Sequence, residues 1–372
     1  MQVLFWLAAA AVLYVYAGYP LLLAALVARL RRPPRTREIQ PFVSLLVAAY
    51  NEAGVIAAKI RNALELDYPA DKLEIAIASD GSTDGTAAIA GQFAGDPRVR
   101  VFEYPVNRGK ITVLNETLPQ LRGEIVALTD AASMLAPGAL RRLVAHFADP
   151  DVGAASGVYK VRRKEQAQLG VQEDFYWKYE TFLKSKEAAL GSILGAHGSL
   201  YAIRKDLYPF PASGTINDDY VIPVRILQRG YRVAYEPAAV AYEEAREMGG
   251  FSRRVRIMAG NVQQLREIKP LLSPFRPLAF FFFLSHKAGR VAVPLLLLLL
   301  MALNILLLGH GPLYRWLAVI QALFYGLAMA GALWRVRPRT LLLPYYFSMI
   351  NAAAFLAAYH VFFGRRGLAW KR

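Results

Sequence analysis

The chain has no cysteine among its 372 residues. That excludes disulfides, thiolate metal sites and a cysteine nucleophile. Neither GxxxxGK[ST] nor GxGxxG occurs, which argues against a P-loop enzyme and a dinucleotide dehydrogenase. No Ser-His-Asp order is evident, and there is no internal repeat or low-complexity tract. Acids are the minority charge: 28 Asp and Glu against 44 Lys and Arg leave a net charge of +16. The aromatic-interleaved basic patches of a nucleic-acid binder are also missing, so no nucleic acid is expected as a partner. The basic residues cluster instead beside apolar segments, as for contact with anionic membrane lipid. A basic cleft would also suit a phosphorylated substrate.

What the chain has in excess is apolar residues, 55% of the total. They are concentrated in residues 3–28 and in Val291–Leu308, Trp316–Trp334 and Leu341–Phe363. Each is long enough to be read as a membrane segment. The expected organisation is an N-terminal transmembrane helix (1–30), a globular domain (31–245), an amphipathic interface helix (246–275) and a C-terminal membrane region of about three segments (276–372). The first segment lacks the basic n-region and small-residue cleavage site of a signal peptide. Its positive charge follows it, in RLRRPPRTR at Arg29–Arg37. The positive-inside rule therefore places the globular domain on the cytoplasmic side of a multi-pass inner-membrane protein. Three C-terminal crossings would then put Gly364–Arg372, with its four basic residues, outside. Leu341–Phe363 carries Ser348, Asn351 and His360 and is the segment expected to be re-entrant or interfacial instead.

In the globular part, apolar runs alternate with helical spacing. Strands are expected at Phe42–Tyr50, Leu73–Ala78, Val99–Tyr104 and Glu124–Thr129, with helices over Gly54–Leu66, Thr83–Phe93 and Lys110–Leu121. This alternation predicts a mostly parallel, doubly wound sheet. Further strands are expected at Val152–Tyr159 and Leu200–Arg204. A helix is expected over Gln172–Ala189, with Phe175, Tyr179 and Phe182 as a core stripe. From Arg246 to Leu272, Phe251, Val255, Met258, Val262 and Leu265 form one apolar face, with Arg253, Arg254, Arg256, Arg266 and Lys269 on the remainder. That is the signature of a helix lying in the membrane interface.

Three strands end in polar groups: Asn51 with Glu52, Ser79 with Asp80, and Asp130. Ligands of open α/β sheets bind beyond the carboxyl ends of strands, so these groups are candidates for one shared site. SDGSTDGT at Ser79–Thr86 could equally be an ordinary polar turn. Asp130 could hold a hard divalent cation or cap a turn. The Asn217–Asp219 acids precede a helical segment expected to end in QRGYRVAYEP at Gln228–Pro237; they gain from a helix start, or supply a general base. Small residues around His197 in Gly195–Lys205 would allow close backbone approach to a substrate. His197 itself is more often structural than a metal ligand.

Together these motifs resemble the family 2 inverting glycosyltransferases, and within them the membrane-integrated group of cellulose, chitin and hyaluronan synthases. VAAYNE at Val47–Glu52 is similar to the family's first nucleotide-binding strand and SDGSTDGT to its second. NRGK at Asn107–Lys110 resembles a segment near the base or diphosphate. TDAAS stands at the D-x-D motif, NDD at T-E-D, and RRVRI (Arg253–Ile257) at Q-x-x-R-W. SHKAGRVAVP at Ser285–Pro294 also resembles the group. The resemblance implies a GT-A-like mixed sheet with N- and C-terminal transmembrane helices. It implies catalytic acids at Asp219 and Asp218, and Mg²⁺ or Mn²⁺ on Asp130. It implies donor contacts from Tyr50, Asn51, Glu52, Ser79, Asp80, Lys110, Gly198, Arg253, Arg254 and Arg256. The chain departs at Ala132, where D-x-D has its second acid, and at Arg253 and Ile257, where Q-x-x-R-W has glutamine and tryptophan.

The expected activity is therefore sugar transfer, with inversion, from a nucleotide-diphosphate sugar, expected to be a UDP-sugar. The acceptor is a growing polysaccharide or a lipid-linked glycan. Two other classes stay open: a nucleotidyltransferase acting on a sugar phosphate, and a non-catalytic membrane scaffold with the same fold.

Overall fold

A computed structural model describes residues 1–32, 34–162, 170–244, 251–267, 277–333 and 339–362. The chain divides into two units, one spanning Leu26–Glu247 and the other combining Met1–Ala25 with Met248–Leu368. The helix α1 (Gln2–Leu30) opens the chain.

The sheet unit contains β1 (Val43–Ala49), α2 (Ala53–Leu64), β2 (Leu73–Asp80), α3 (Thr86–Gly91), β3 (Val99–Tyr104), α4 (Lys110–Thr117) and β4 (Ile125–Asp130). It continues through β5 (Met134–Leu135), α5 (Ala139–Val144), β6 (Val152–Arg162), α6 (Gly170–Ala189), β7 (Tyr201–Arg204), α7 (Asp218–Gln228) and β8 (Arg232–Glu244). The eight strands form one sheet in the order β3-β2-β1-β4-β7-β6-β8-β5. β3, β2, β1 and β4 are mutually parallel, and β7 then joins β4 and β6 antiparallel. The sheet is mixed.

Every residue of β1 and β2 is buried. A strand covered on both faces has no polar side to alternate with, which is why both read as unbroken apolar runs. Val43, Leu45, Val47, Ile75 and Ile77 pack into one core with Ile56 and Ile60 of α2. These covered strands bring Asn51, Ser79–Asp80 and Asp130 to one edge, since β1 runs parallel to both β2 and β4.

Two expectations for this unit are corrected. Gln228–Pro237 was expected to close a helix, yet Arg232–Glu244 is a strand. Proline is uncommon inside strands, but here the register slips between Ser156 and Val158, so that Tyr235 and Val240 pair with β6 and Pro237 is passed over. On α6 the aromatic stripe is not core: Phe182 is 41% exposed and Tyr179 half-buried, while the Phe175 side chain lies outside the described residues. The buried face carries Glu180, Leu183, Lys184 and Glu187.

In the other unit, α8 (Phe251–Glu267) precedes α9 (Pro277–Leu306), α10 (Pro312–Leu333) and α11 (Arg339–Phe362). Among the described residues, three helices are long and apolar enough to cross a membrane: α1, α9 and α10. Phe5 and Ala8 of α1 pack with Leu300, Leu303, Leu307 and Tyr314. Leu295, Trp316, Ile320 and Leu323 are exposed, an apolar surface of the kind that meets lipid. α11, with Pro344 inside it, is not among those three. It packs beside α8, whose Val255, Ala259 and Val262 are buried. The basic tail Gly364–Arg372 lies outside the described residues, as do 246–250 and 268–275 of the expected interface segment.

Candidate active site

The ends of β1 and β2 are laced together. Asn51, at φ +54, accepts the Thr83 backbone N–H at 2.9 Å through Oδ1 and donates its own N–H to Ser82 Oγ at 3.2 Å. Asn tolerates this left-handed backbone better than most residues. The Glu52 N–H donates to Thr86 Oγ1 at 2.8 Å, and the Ala53 N–H to Asp84 Oδ2 at 2.9 Å. Ser79 is buried and donates to Ser82 Oγ at 2.9 Å. Much of the polarity in SDGSTDGT is thus spent on joining two strand ends.

Asp80 is fully buried. Its Oδ1 accepts the Arg108 N–H at 2.8 Å, and Oδ2 accepts the Gly109 N–H at 2.8 Å and Asn107 Nδ2 at 3.1 Å. The carboxylate therefore holds the Asn107–Gly109 turn, which leads directly into Lys110 at the start of α4. Gly81, at φ +65, lets that turn come close, because a Cβ there would run into the Val106–Asn107 backbone.

The acids meet around Lys110 and Gly198. Lys110 Nζ lies 3.0 Å from Asp130 Oδ1 and 3.1 Å from Asp218 Oδ1. Asp218 Oδ2 accepts the buried Tyr201 hydroxyl at 2.9 Å. Both oxygens of Asp218, an acid expected to be catalytic, thus have partners. Asp219 Oδ2 accepts the Gly198 N–H at 3.0 Å. A Cβ at Gly198 would lie 3.4 Å from Asp219 Oδ2 and 3.6 Å from Asp130 Oδ2. The missing side chain keeps open the space between these two carboxylates.

Burial first, and the Asp218 carboxylate second, push the Asp219 carboxyl up to about 6, against the opposing pull of Lys110 and Lys184. Burial alone would lower the Lys110 ammonium, but Asp130, Asp218 and Asp219 together hold it above its ordinary value.

Behind the acids lies a buried network that motif reading misses. Lys59, on α2, is fully buried and donates to Thr129 Oγ1 at 2.9 Å and to the Ser133 carbonyl. Thr129 Oγ1 donates onward to the Ser199 carbonyl at 2.6 Å, next to Gly198. Ser133 Oγ donates to Glu243 of β8. Burial pulls the Lys59 ammonium down to about 7, with Asp130 and Glu243 opposing. From α6, Lys184 Nζ donates to the carbonyls of Gly195 at 3.1 Å and Ala196 at 3.0 Å. A lysine on an amphipathic helix ordinarily reads as solvated surface, so sequence carried no direct signal for either. His197 is buried, its N–H donating to Ser156 Oγ at 3.0 Å.

Among the described residues, no group of three or more His, Asp or Glu side chains could hold a metal ion. Mg²⁺ and Mn²⁺ commonly bind through one or two carboxylates completed by substrate phosphates. Asp130 fits that lesser role: its side chain is 45% exposed, and its Oδ2 borders the space beside Gly198. Arg253, Arg254 and Arg256 are on α8, in the other unit. The Arg254 guanidinium stacks 4.8 Å over the Tyr346 ring, and the Arg253 side chain lies outside the described residues.

Residues 40–260 match the glycosyltransferase like family 2. A poly-beta-1,6-N-acetyl-D-glucosamine synthase from Staphylococcus epidermidis is 28% identical over 237 residues, 62% of this chain and 57% of the synthase. The synthase of that name from Staphylococcus aureus is 28% identical over 229 residues, 60% of this chain and 55% of its own length. The match thus spans little more than half the length of these relatives. Among solved structures, a mannosyltransferase from Pyrobaculum calidifontis in complex with GDP-Man and Mn²⁺ superposes with a TM-score of 0.74. It is 27% identical, and the match covers 98% of this chain and 100% of that one.

Proposed function

Because this chain belongs to glycosyltransferase family 2 and is a glycosyltransferase of GT-A-like fold, we propose that it is a membrane-bound, inverting enzyme. It moves a sugar from a nucleotide-diphosphate donor to a glycan acceptor. The observation that carries this reading is the pair of carboxylates, Asp130 and Asp219, on either side of Gly198.

Asp219 is the base. The acceptor hydroxyl oxygen attacks the anomeric carbon from the face opposite the diphosphate. The bond from that carbon to the diphosphate oxygen breaks, the hydroxyl proton passes to Asp219, and nucleoside diphosphate leaves. A carboxyl raised to about 6 is better matched to taking a proton near neutral pH than an ordinary aspartate. Mg²⁺ or Mn²⁺, when bound, offsets charge on the leaving diphosphate, with Asp130 as its protein ligand. Lys110 adds positive charge to the same group. Tyr50, Asn51, Glu52 and Ser79 border the nucleoside, and Asp80 acts there through the turn it holds.

The strand-end motifs favour a UDP-sugar. The mannosyltransferase that matches over the whole chain was solved with GDP-Man, and it makes a GDP-sugar the second reading. A screen of both donor classes for metal-dependent release of nucleoside diphosphate separates them. Release of pyrophosphate instead would indicate a nucleotidyltransferase. The curated relatives favour a polysaccharide acceptor, and product length distinguishes polymer from a single sugar on lipid. Asp219→Asn is expected to lower transfer by about 10²–10⁴-fold while donor binding survives. Normal turnover by that variant would overturn the assignment.

A further inference from the structure

Lys110 occupies the place where a metal would be wanted. Its ammonium spans the two acids at 3.0 and 3.1 Å, reaching the end of β4 through Asp130 and the start of α7 through Asp218. Asp219 also acts on it. The three carboxylates therefore already share one internal cation in the protein as it stands. Asp130, which alone is well exposed to a cation from outside, has one oxygen on Lys110.

A divalent cation that bound Asp130 in this state would stand beside an ammonium held by the same carboxylate. Like charges this close repel strongly, and only one carboxylate would be offered in return. Arrival of a diphosphate changes both terms. Its oxygens draw Lys110 away from Asp130, and they complete a coordination shell that one carboxylate cannot. The substitution at Ala132 sharpens this, because no second acid of a D-x-D motif compensates for the one Lys110 holds.

We propose that Lys110 is an internal counter-ion that makes metal binding conditional on the donor diphosphate, so that Mn²⁺ or Mg²⁺ enters with the nucleotide and not before it. The inference rests on the glycosyltransferase reading for the identity of the second ligand. Its first prediction, weak metal binding in the nucleotide-free protein because of Lys110, stands apart from that reading.

The test is a titration of full-length protein with Mn²⁺, followed by loss of the free-ion electron paramagnetic resonance signal, with and without UDP or GDP. Wild type is expected to bind Mn²⁺ at least about tenfold more tightly with one of these nucleotides. Lys110→Met is expected to bind Mn²⁺ without nucleotide at least about tenfold more tightly than wild type. Lys110→Arg, which keeps the charge, should behave as wild type. Equal wild-type affinity with and without the nucleotide that binds would overturn the proposal. So would a folded Lys110→Met protein, judged by its elution volume, with no gain in nucleotide-free binding. If wild type binds neither UDP nor GDP while Lys110→Met gains nucleotide-free Mn²⁺ binding, the counter-ion role holds and the donor assignment fails.

Discussion

Asp219 illustrates how a single residue's surroundings set its chemistry. Burial and the adjacent Asp218 raise its carboxyl to about 6. Only the ionised form accepts a proton, so kcat is expected to rise with pH through about 6 and level off above it. The sign for stability is the reverse. A carboxyl raised on folding favours the protonated native state, so stability from this group is present at acid pH and is lost as pH climbs from the usual aspartate range to about 6. Asp218→Asn removes one of the raising influences and should move the acid limb of the kcat profile to lower pH; an unmoved limb would mean that Asp219 is not the group reported. Lys59 acts from further back. Lys59→Met leaves the Thr129 hydroxyl and the Ser133 carbonyl without their buried donor, at about 1–3 kcal/mol for each unsatisfied group. Thermal unfolding should show that loss, and kcat should fall more steeply than donor KM rises, because the turn carrying Asp130 and the segment carrying Gly198 both hang on this lysine. Asp80 and Asp130 were legible in the sequence because they close apolar runs, and Asp218 and Asp219 because they open a helix. Lys59 and Lys184 were not, since a charge on a helix gives no sign in one dimension that its neighbours bury it.

At the scale of elements, the β2 turn carries two roles that the sequence merged. Ser82–Thr86 joins two strand ends, and Asp80 holds the turn that delivers Lys110. Gly81 makes the second possible. Gly81→Ala combines a φ of +65 with a clash against the Val106–Asn107 backbone, and is expected to cost at least about 2 kcal/mol. Chemical denaturation would measure that loss, and Lys110-dependent donor binding should weaken with it. β1, β2 and β4 were readable because strands buried on both faces leave long apolar signals. β8 was not, because Pro237 looks like a terminator until the partner strand is known to slip past it. The α6 stripe misled for a related reason: aromatic spacing predicts a buried face, but the face turned to the sheet carries Glu180, Lys184 and Glu187, where Lys184 can reach two backbone carbonyls.

For the whole molecule, the count of crossings decides where the tail goes. α1, α9 and α10 have the length and hydropathy of spans, and α11 is not one of them. If α9 and α10 are the two C-terminal crossings, the positive-inside rule predicts that Gly364–Arg372 and the sheet unit face the same side of the membrane. The absence of native cysteine makes this easy to test. A single cysteine placed at Ser213, in the sheet unit, and another placed at Leu368 should be labelled by an impermeant thiol reagent from the same side of the membrane. Labelling from opposite sides would restore a third C-terminal crossing. The sequence by itself determined β1 to β4 with the helices between them, the apolar segments and the types of residue available for chemistry, because local composition and period encode them. Only the tertiary structure decided that Lys110 stands between Asp130 and Asp218, that Asp218 also takes the Tyr201 hydroxyl, and that Gly198 lies between Asp130 and Asp219. Those facts depend on distances between segments far apart in the chain, and such distances are set by packing.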